Sequence, residues 1–218
     1  MKAFWKKWIL YCGIGEMLGV TLAAAVAYFT LVGLKGPPSW GTQLSVLGLM
    51  ALAGLLEGSF LGFFQWKVLS EKIPALSRSG WIGLTAILTI FGWVFLALGF
   101  LLFYPEGPVL PFYFSEFSLT EHPFLFLMEG IVAGMFAGLG LGFLQWLLLR
   151  KHLPNAGFWI GSNILGWGLG LNFILIATYL PFSPPNLLSI ILMGAAGGLL
   201  AGLCAGIVTG SFLIRRME

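Results

Sequence analysis

The sequence predicts an all-α polytopic membrane protein, with six transmembrane helices arranged as three repeated hairpins and both termini in the cytoplasm. Composition, six long apolar stretches and an internal repeat lead to this fold class. Of the 218 residues, 59% are hydrophobic, 9% are charged, and none is aspartate. Soluble proteins contain about 25% charged residues. The chain is therefore expected to form a single transmembrane domain over residues 1–218.

Each of six apolar stretches exceeds the roughly 20 residues that a helix needs to cross about 30 Å of hydrocarbon. When the chain is threaded through these spans, every lysine and arginine except Lys35 falls on one side. Positive residues accumulate on the cytoplasmic side of membrane proteins, so both termini are predicted there. The prolines lie on the other side, with Pro74 and Pro154 as exceptions. The stretches cover residues 8–34, 43–69, 80–103, 123–149, 157–181 and 187–214.

A glycine motif of the second span recurs in the fourth span. Its glycines are four residues apart and are followed by Gln-Trp, then by leucine and proline. Repetition of this length indicates duplication of a two-helix unit. The sixth span continues the glycine series. The copies are Gly54, Gly58, Gly62, Phe63, Gln65, Trp66, Leu69 and Pro74; Gly134, Gly138, Gly142, Phe143, Gln145, Trp146, Leu149 and Pro154; and, in part, Gly202, Gly206 and Gly210.

The odd-numbered spans carry a second motif, in which Trp-Ile precedes two glycines. Trp8-Ile9 and Trp159-Ile160 stand at the same distances from their glycines, so the first span is a repeat member and not a cleaved signal. Trp81-Ile82 completes the set if about one extra helical turn precedes Gly92-Trp93. The repeat units are therefore predicted at about 1–79, 80–156 and 157–218.

Glycine at every fourth position leaves one face of an even-numbered helix without side chains, so that another backbone can approach closely. From this we expect spans two, four and six to pack on each other at the centre, with the odd-numbered spans outside. Binding of a partner protein's helix to the glycines is the alternative.

Glu16 and Glu57 are the most informative single residues, because both lie inside apolar spans. Counted from the tryptophans of their spans at 1.5 Å per residue, they reach a similar depth. At the position of Glu16 the motifs predict Trp93 and Trp167 in the other repeats, and at the position of Glu57 they predict Ala137 and Ala205. A carboxylate at such depth costs roughly 2.5–3.5 kcal/mol. The pair is therefore either an intramembrane proton or cation site, or two neutral acids that are hydrogen-bonded structurally.

Gln65-Trp66 and Gln145-Trp146 end the glycine series beside basic loops. Two roles are open for them: contact with a lipid headgroup or ligand, and bridging between helices. The tryptophans at this level, including Trp8, Trp81 and Trp159, are predicted to form an aromatic belt at the membrane surface.

Ligands other than lipid are not specified by the sequence. His122 and His152 fall on opposite sides of the membrane, so no metal site is predicted. No cofactor is required, although a bound lipid or pigment is compatible with the chain. The basic residues flank apolar spans and form no patch for nucleic acid. The aromatic-rich loop 104–122 suggests docking on the membrane surface or on a partner, with packing on the protein's own helices as the alternative.

The pattern Gly-x-x-x-Gly-x-x-Gln-Trp, a basic residue, and then Trp-Ile resembles small polytopic membrane proteins of bacteria such as cyanobacteria and Chloroflexi. The resemblance covers residues 54–93 and 134–167. It implies a bacterial inner (cytoplasmic) membrane, or alternatively a thylakoid-type membrane. It transfers no catalytic residue and no substrate.

The sequence favours a non-enzymatic accessory or scaffold subunit of a larger membrane complex, in contact with lipids and other integral membrane proteins. Short cytoplasmic loops and a glycine-rich centre support this hypothesis. A small-solute or ion transporter that uses Glu16 and Glu57 is the alternative. An intramembrane enzyme would need a nucleophile with its base or a ligand cluster, and the sequence indicates neither.

Overall fold

The computed structural model describes residues 1–33, 39–103, 119–179 and 186–217, and these residues form six helices. Each helix is long and apolar enough to cross a membrane, which confirms the predicted fold class. Most of the predicted loop 104–122 lies outside the described residues. The helices are α1 (Lys2–Gly33), α2 (Trp40–Leu69), α3 (Arg78–Phe103), α4 (Pro123–Leu149), α5 (Phe158–Tyr179) and α6 (Leu187–Met217).

Local sequence explains where several helices begin and end. Ser39 caps the start of α2, and its side chain accepts a hydrogen bond from the backbone N–H of Thr42. Pro123 occupies the first turn of α4, where its missing N–H is not needed. Between α4 and α5, Asn155 has a φ of 52°, in the left-handed region that asparagine tolerates better than most residues.

Both chain termini lie at one end of the bundle, which we call the terminal side; the opposite end is the far side. Lys7 of α1 forms an ion pair with Glu71 in the α2–α3 connection. Trp5 Nε1 donates to Ser211 Oγ of α6 at 3.3 Å. Location of the terminal side in the cytoplasm remains a prediction from the charges.

The helices form a closed ring. Among the described residues, each helix contacts its neighbours along the chain, and α1 also contacts α6. No contact joins the backbones of α2, α4 and α6 in this part of the chain. The expectation that the even-numbered helices pack on each other with the others outside is therefore wrong. Odd and even helices alternate around the ring.

The glycines instead pack against odd-numbered helices, which gives three equivalent pairs: α2 with α3, α4 with α5, and α6 with α1. Three glycines, one in each pair, show the equivalence. A methyl group built on them would lie within about 3 Å of the isoleucine Cα of a Trp-Ile motif, too close for a side chain to fit. The distances are 3.0 Å from Gly62 to Ile82, 2.9 Å from Gly142 to Ile160, and 3.0 Å from Gly206 to Ile9.

This packing fixes the register of the repeats and corrects two sequence assignments. Gly206, not Gly210, is equivalent to Gly62, so the counterpart of Glu57 in α6 is Ala201 rather than Ala205. The third helix needs no extra turn. The counterpart of Glu16 in α3 is therefore Thr89 rather than Trp93, because the glycine partner of each odd helix recurs at the same spacing.

Side chains fill the ring at the level of these contacts. Leu61, Leu141 and Ala205 occupy equivalent positions on α2, α4 and α6, and they share one buried apolar cluster with Trp167. Because these three helices do not touch, their side chains meet across the interior. A larger cluster toward the terminal side includes Trp8, Trp81 and Trp159.

Gly138→Ala should destabilise the protein by about 1–3 kcal/mol, as expected for overpacking. The added methyl would lie 2.7 Å from the backbone carbonyl carbon of Asn163, which cannot move without shifting α5. Gly161→Ala is the matched control, because Gly161 is exposed on α5 and nothing lies within 4 Å of the added carbon. Unfolding of the purified protein in detergent measures both. Equal stability of the two variants would contradict the proposed contact.

Candidate functional site

Glu16 lies in the middle of α1 and is fully buried, with a relative exposure of 0%. Its backbone packs against the glycines of α6: a methyl on Gly198 would lie 2.7 Å from the Glu16 carbonyl oxygen. Within the described part of the chain, neither carboxyl oxygen of Glu16 has a hydrogen-bond partner. A buried polar group without a partner costs about 1–3 kcal/mol, and more if it is charged.

Glu57 lies on α2 at a point where the backbone of α1 packs against it. A methyl built on Gly19 of α1 would lie 2.8 Å from the Glu57 Cα, so glycine is needed at this crossing. The Glu57 side chain is only partly buried. Its Oε2 accepts a hydrogen bond of 2.6 Å from the indole Nε1 of Trp93 on α3.

Glu16 comes three residues before Gly19, the residue of α1 that packs on the Glu57 backbone, so the two glutamates lie about one helical turn apart. The sequence prediction that both carboxyls reach the same depth remains a prediction. Adjacent carboxyls in a medium of low dielectric avoid carrying two negative charges, since each charge opposes ionisation of the other. The pair therefore favours a proton on one of its members, or uptake of a cation.

The ring is not equally closed on all sides. We call the line along which an even helix follows an odd helix in the chain a seam; the three seams are α1–α2, α3–α4 and α5–α6. The α3–α4 seam has by far the fewest contacts of any neighbouring pair among the described helices. Along it, Gly92 and Ala137 are exposed, and nothing lies within 4 Å of a methyl built on Gly92.

The same positions are closed in the other two seams. Gly19 of α1, equivalent to Gly92, packs on Glu57. Gly170 of α5 is also equivalent to Gly92. A methyl built on Gly170 would lie 3.0 Å from the Ala201 carbonyl oxygen. Since Ala137 is equivalent to Glu57 and Ala201, Gly92 would meet Ala137 if the third seam closed. It does not, so the α3–α4 seam is open at this depth.

Leu88 explains the opening. The equivalent residues in the closed seams are Gly15 and Gly166, whose added methyls would lie 3.1 Å from the Leu61 Cα and 3.2 Å from the Ala205 Cα. At Leu88 a full side chain stands between α3 and α4 and reaches Gly140. It separates the two helices from this level onward toward the far side.

A second set of polar side chains, which we call the Trp–Gln layer, lies nearer the terminal side than the two glutamates. In each glycine-packed pair, a tryptophan of the odd helix donates its indole N–H to the residue three positions after a glycine of the even helix. The bonds are Trp81 Nε1 to Gln65 Oε1 at 3.3 Å, Trp159 Nε1 to Gln145 Oε1 at 3.1 Å, and Trp8 Nε1 to Thr209 Oγ1 at 3.0 Å.

Gln145 links this layer across the ring. Its Nε2 donates to Gln65 Oε1 at 2.9 Å and to Thr85 Oγ1 at 3.0 Å, while its Oε1 accepts from Trp159. Gln145 and Gln65 are 0% and 4% exposed. This burial supports helix bridging for the two glutamines, since neither can reach a headgroup.

The tryptophans of the Trp-Ile and Gln-Trp motifs divide into two groups. Trp8, Trp81 and Trp159 are buried, so their prediction as a belt at the membrane surface is wrong: they lie on the inner faces of their helices. Trp66 and Trp146 are partly buried and stack with arginines; the centres of the Arg78 and Arg150 guanidinium groups lie 5.2 and 4.9 Å from the respective rings. Contact of Trp66 and Trp146 with headgroups remains a prediction.

The sequence predicted roles for the glutamates, the glutamines and the glycines. It did not predict the hydrogen-bond partners of the tryptophans or the open seam. The position three residues after Gly62 and its equivalents Gly142 and Gly206 could have revealed the three acceptors. The relation is hard to see in the sequence, because Thr209 stands where the other two pairs have glutamine. Leu88 could have been found only with the correct register.

Gln145→Leu should destabilise the protein by about 1–3 kcal/mol for each polar group left without a partner. The variant removes the acceptor of Trp159 and a donor to Thr85 from a buried site. Gln43→Leu, at the far end of α2 and only partly buried, is the control and should change little. Thermal unfolding in detergent compares the two. A small effect at both positions would show that the layer adds no stability.

Comparison with protein-family models, with curated proteins and with solved structures gives no match for this chain. The resemblance to bacterial polytopic proteins therefore remains a prediction from the repeated motif.

Proposed function

We propose that the protein is a non-enzymatic accessory or scaffold subunit of a larger membrane complex, and that its α3–α4 seam receives a helix of the partner. The observation that carries this proposal is the difference between equivalent seams. Two are closed by glycine packing, and the third leaves Gly92 and Ala137 exposed at the same depth.

Small exposed residues favour a helix over lipid as the occupant of this seam. Lipid tails are as apolar as leucine side chains, so association of helices in a membrane depends on close packing and hydrogen bonds. Glycine and alanine at facing positions permit that close packing. A helix placed in the seam would restore, at Gly92, the kind of contact that Gly19 and Gly170 already make.

The rest of the ring supports a structural role. The glycine-packed pairs and the Trp–Gln layer tie all six helices together toward the terminal side. They provide a rigid base on which the far side can hold a partner. We place this assembly in a bacterial cytoplasmic membrane, with a thylakoid-type membrane as the alternative.

Gly92→Leu and Ala137→Leu should each remove the partner without unfolding the protein, because the added side chains enter open space in the seam. Gly161→Leu is the control: this glycine is also exposed with open space around it, but it lies outside the seam. Native purification into nanodiscs, followed by mass spectrometry of the bound chains, measures retention of a stoichiometric partner.

Retention of the partner by the control and its loss from the seam variants is the expected result. A wild-type protein that is monodisperse and alone under mild conditions would contradict the scaffold proposal. Equal loss from all three variants would place the partner elsewhere on the surface.

Transport of a small solute or ion is the second candidate function. The specific observation in its favour is the Glu16 carboxyl, which is fully buried beside Glu57 and has no hydrogen-bond partner among the described residues. Ionisable residues inside membrane spans commonly mark proton or ion pathways.

If the protein is such a transporter, Glu57→Gln should abolish proton-coupled flux in proteoliposomes while the fold survives. The amide keeps the shape of the side chain but cannot exchange the proton. Glu71→Gln, which removes a carboxylate from the exposed ion pair with Lys7, is the control and should retain flux. Absence of any flux in the wild-type protein across a panel of cations and small solutes would count against this function.

A further inference from the structure

The acid pair and the open seam lie at one depth of the ring. Glu57, Ala137 and Ala201 are equivalent positions on α2, α4 and α6, as their neighbouring glycines show. Ala137 faces the open seam, and the partly exposed Glu57 carries one of the two carboxyls. An opening in the wall of the ring is thus level with an unsatisfied acidic group.

The chain itself offers no cation to this group. All 11 lysines and arginines lie near the ends of the spans or in the connections. Glu57 receives a neutral indole N–H from Trp93, and neither Glu16 oxygen has a partner in the described ranges. A carboxylate buried in a membrane interior is normally paired or faces water.

We propose that the partner's helix carries one lysine or arginine, and that its cationic group passes through the α3–α4 seam and pairs with the Glu16–Glu57 carboxyls. This inference rests on the proposed scaffold function and gives the chemistry of its partner. It commits to a transmembrane helix as the occupant, because the seam has the small residues that helix packing uses and the carboxyls supply the opposite charge.

One basic residue matches the pair better than two. With one of the two carboxyls protonated, the pair carries one negative charge in total, because ionisation of each carboxyl opposes ionisation of the other. A single lysine or arginine neutralises that charge. The long apolar stem of either side chain can cross the seam while its charged end reaches the interior.

The pairing also explains why glycine and alanine flank the opening. A large residue at Gly92 or Ala137 would fill the route by which the cationic side chain enters. Leu88, one turn toward the terminal side, keeps α3 and α4 apart without occupying that route. The opening and the charge therefore act together to select a helix of one kind.

Synthetic helices of about 22 residues test the inference, since this length spans a bilayer. One leucine–alanine peptide carries a single central lysine, and its matched control carries leucine there. Energy transfer between a labelled peptide and the labelled full-length protein in nanodiscs measures binding. The lysine peptide should bind the wild-type protein about tenfold more tightly than the leucine peptide, a ratio typical of one favourable charge pair.

Glu57→Gln and the double variant Glu16→Gln/Glu57→Gln should remove the preference for lysine. Glu71→Gln should keep it, and Gly92→Leu should weaken binding of both peptides. Every variant is first shown to elute as a folded species and to unfold at a temperature close to that of the wild type. If the double variant does not fold, the single Glu57→Gln variant decides.

Equal binding of the lysine and leucine peptides to the wild type would overturn the inference. So would a preference for lysine that survives in the Glu57→Gln variant. Displacement of the lysine peptide by a short alkylammonium ion at matched concentration would overturn the assignment to a helix, because the site would then take a free cation.

The inference and the scaffold function can fail separately. A native partner that depends on Gly92 and is retained by Glu57→Gln would leave the scaffold function standing and overturn the charge pairing. Carboxyl-dependent binding of the lysine peptide by a protein that has no native partner would support the site and contradict the scaffold function.

Discussion

Close contact between helix backbones is the constraint on which the rest of this structure depends. In lipid, apolar side chains gain little by leaving the solvent, so packing has to supply the attraction between helices. The glycines of α2, α4 and α6 allow that packing, and each set faces an odd-numbered helix. Because α6 packs on α1, the ends of the chain complete the third pair. The packed unit is therefore shifted by one helix from the hairpin that the repeat suggests.

Glycine packing joins the helices in pairs, and the Trp–Gln layer joins two of these pairs toward the terminal side. Toward the terminal side, each buried indole N–H finds an acceptor on the helix with which it is paired. Gln145 then joins two of these pairs by donating to Gln65. A polar network that satisfies its buried groups adds definition to the fold. With this end fixed, the α3–α4 seam can stay open without loss of the ring.

The sequence predicted the spans, the glycine series and the closeness of Glu16 to Glu57, because these follow from hydropathy and helical spacing. It did not predict which helix each glycine series faces. A helix face made of glycines indicates that another backbone approaches it, but it does not identify that backbone. The register failed for the same reason: Gly92-Trp93 matches Gly166-Trp167 as letters, whereas the contacts equate Gly92 with Gly170. Only long-range packing separates these alternatives.

Duplication provides a standard against which the functional residues can be judged. Equivalent positions have the same structural duty, so a departure at one of them calls for a local cause. Glu57 departs from Ala137 and Ala201, and Leu88 departs from Gly15 and Gly166, whereas the position of Glu16 holds a different residue in each repeat, with Thr89 and Trp167 as its counterparts. All three residues lie within about one helical turn of the same depth. One of them opens the ring and the other two place acid inside it. An opening and an acidic group in one layer are the two features that the proposed partner helix would use together.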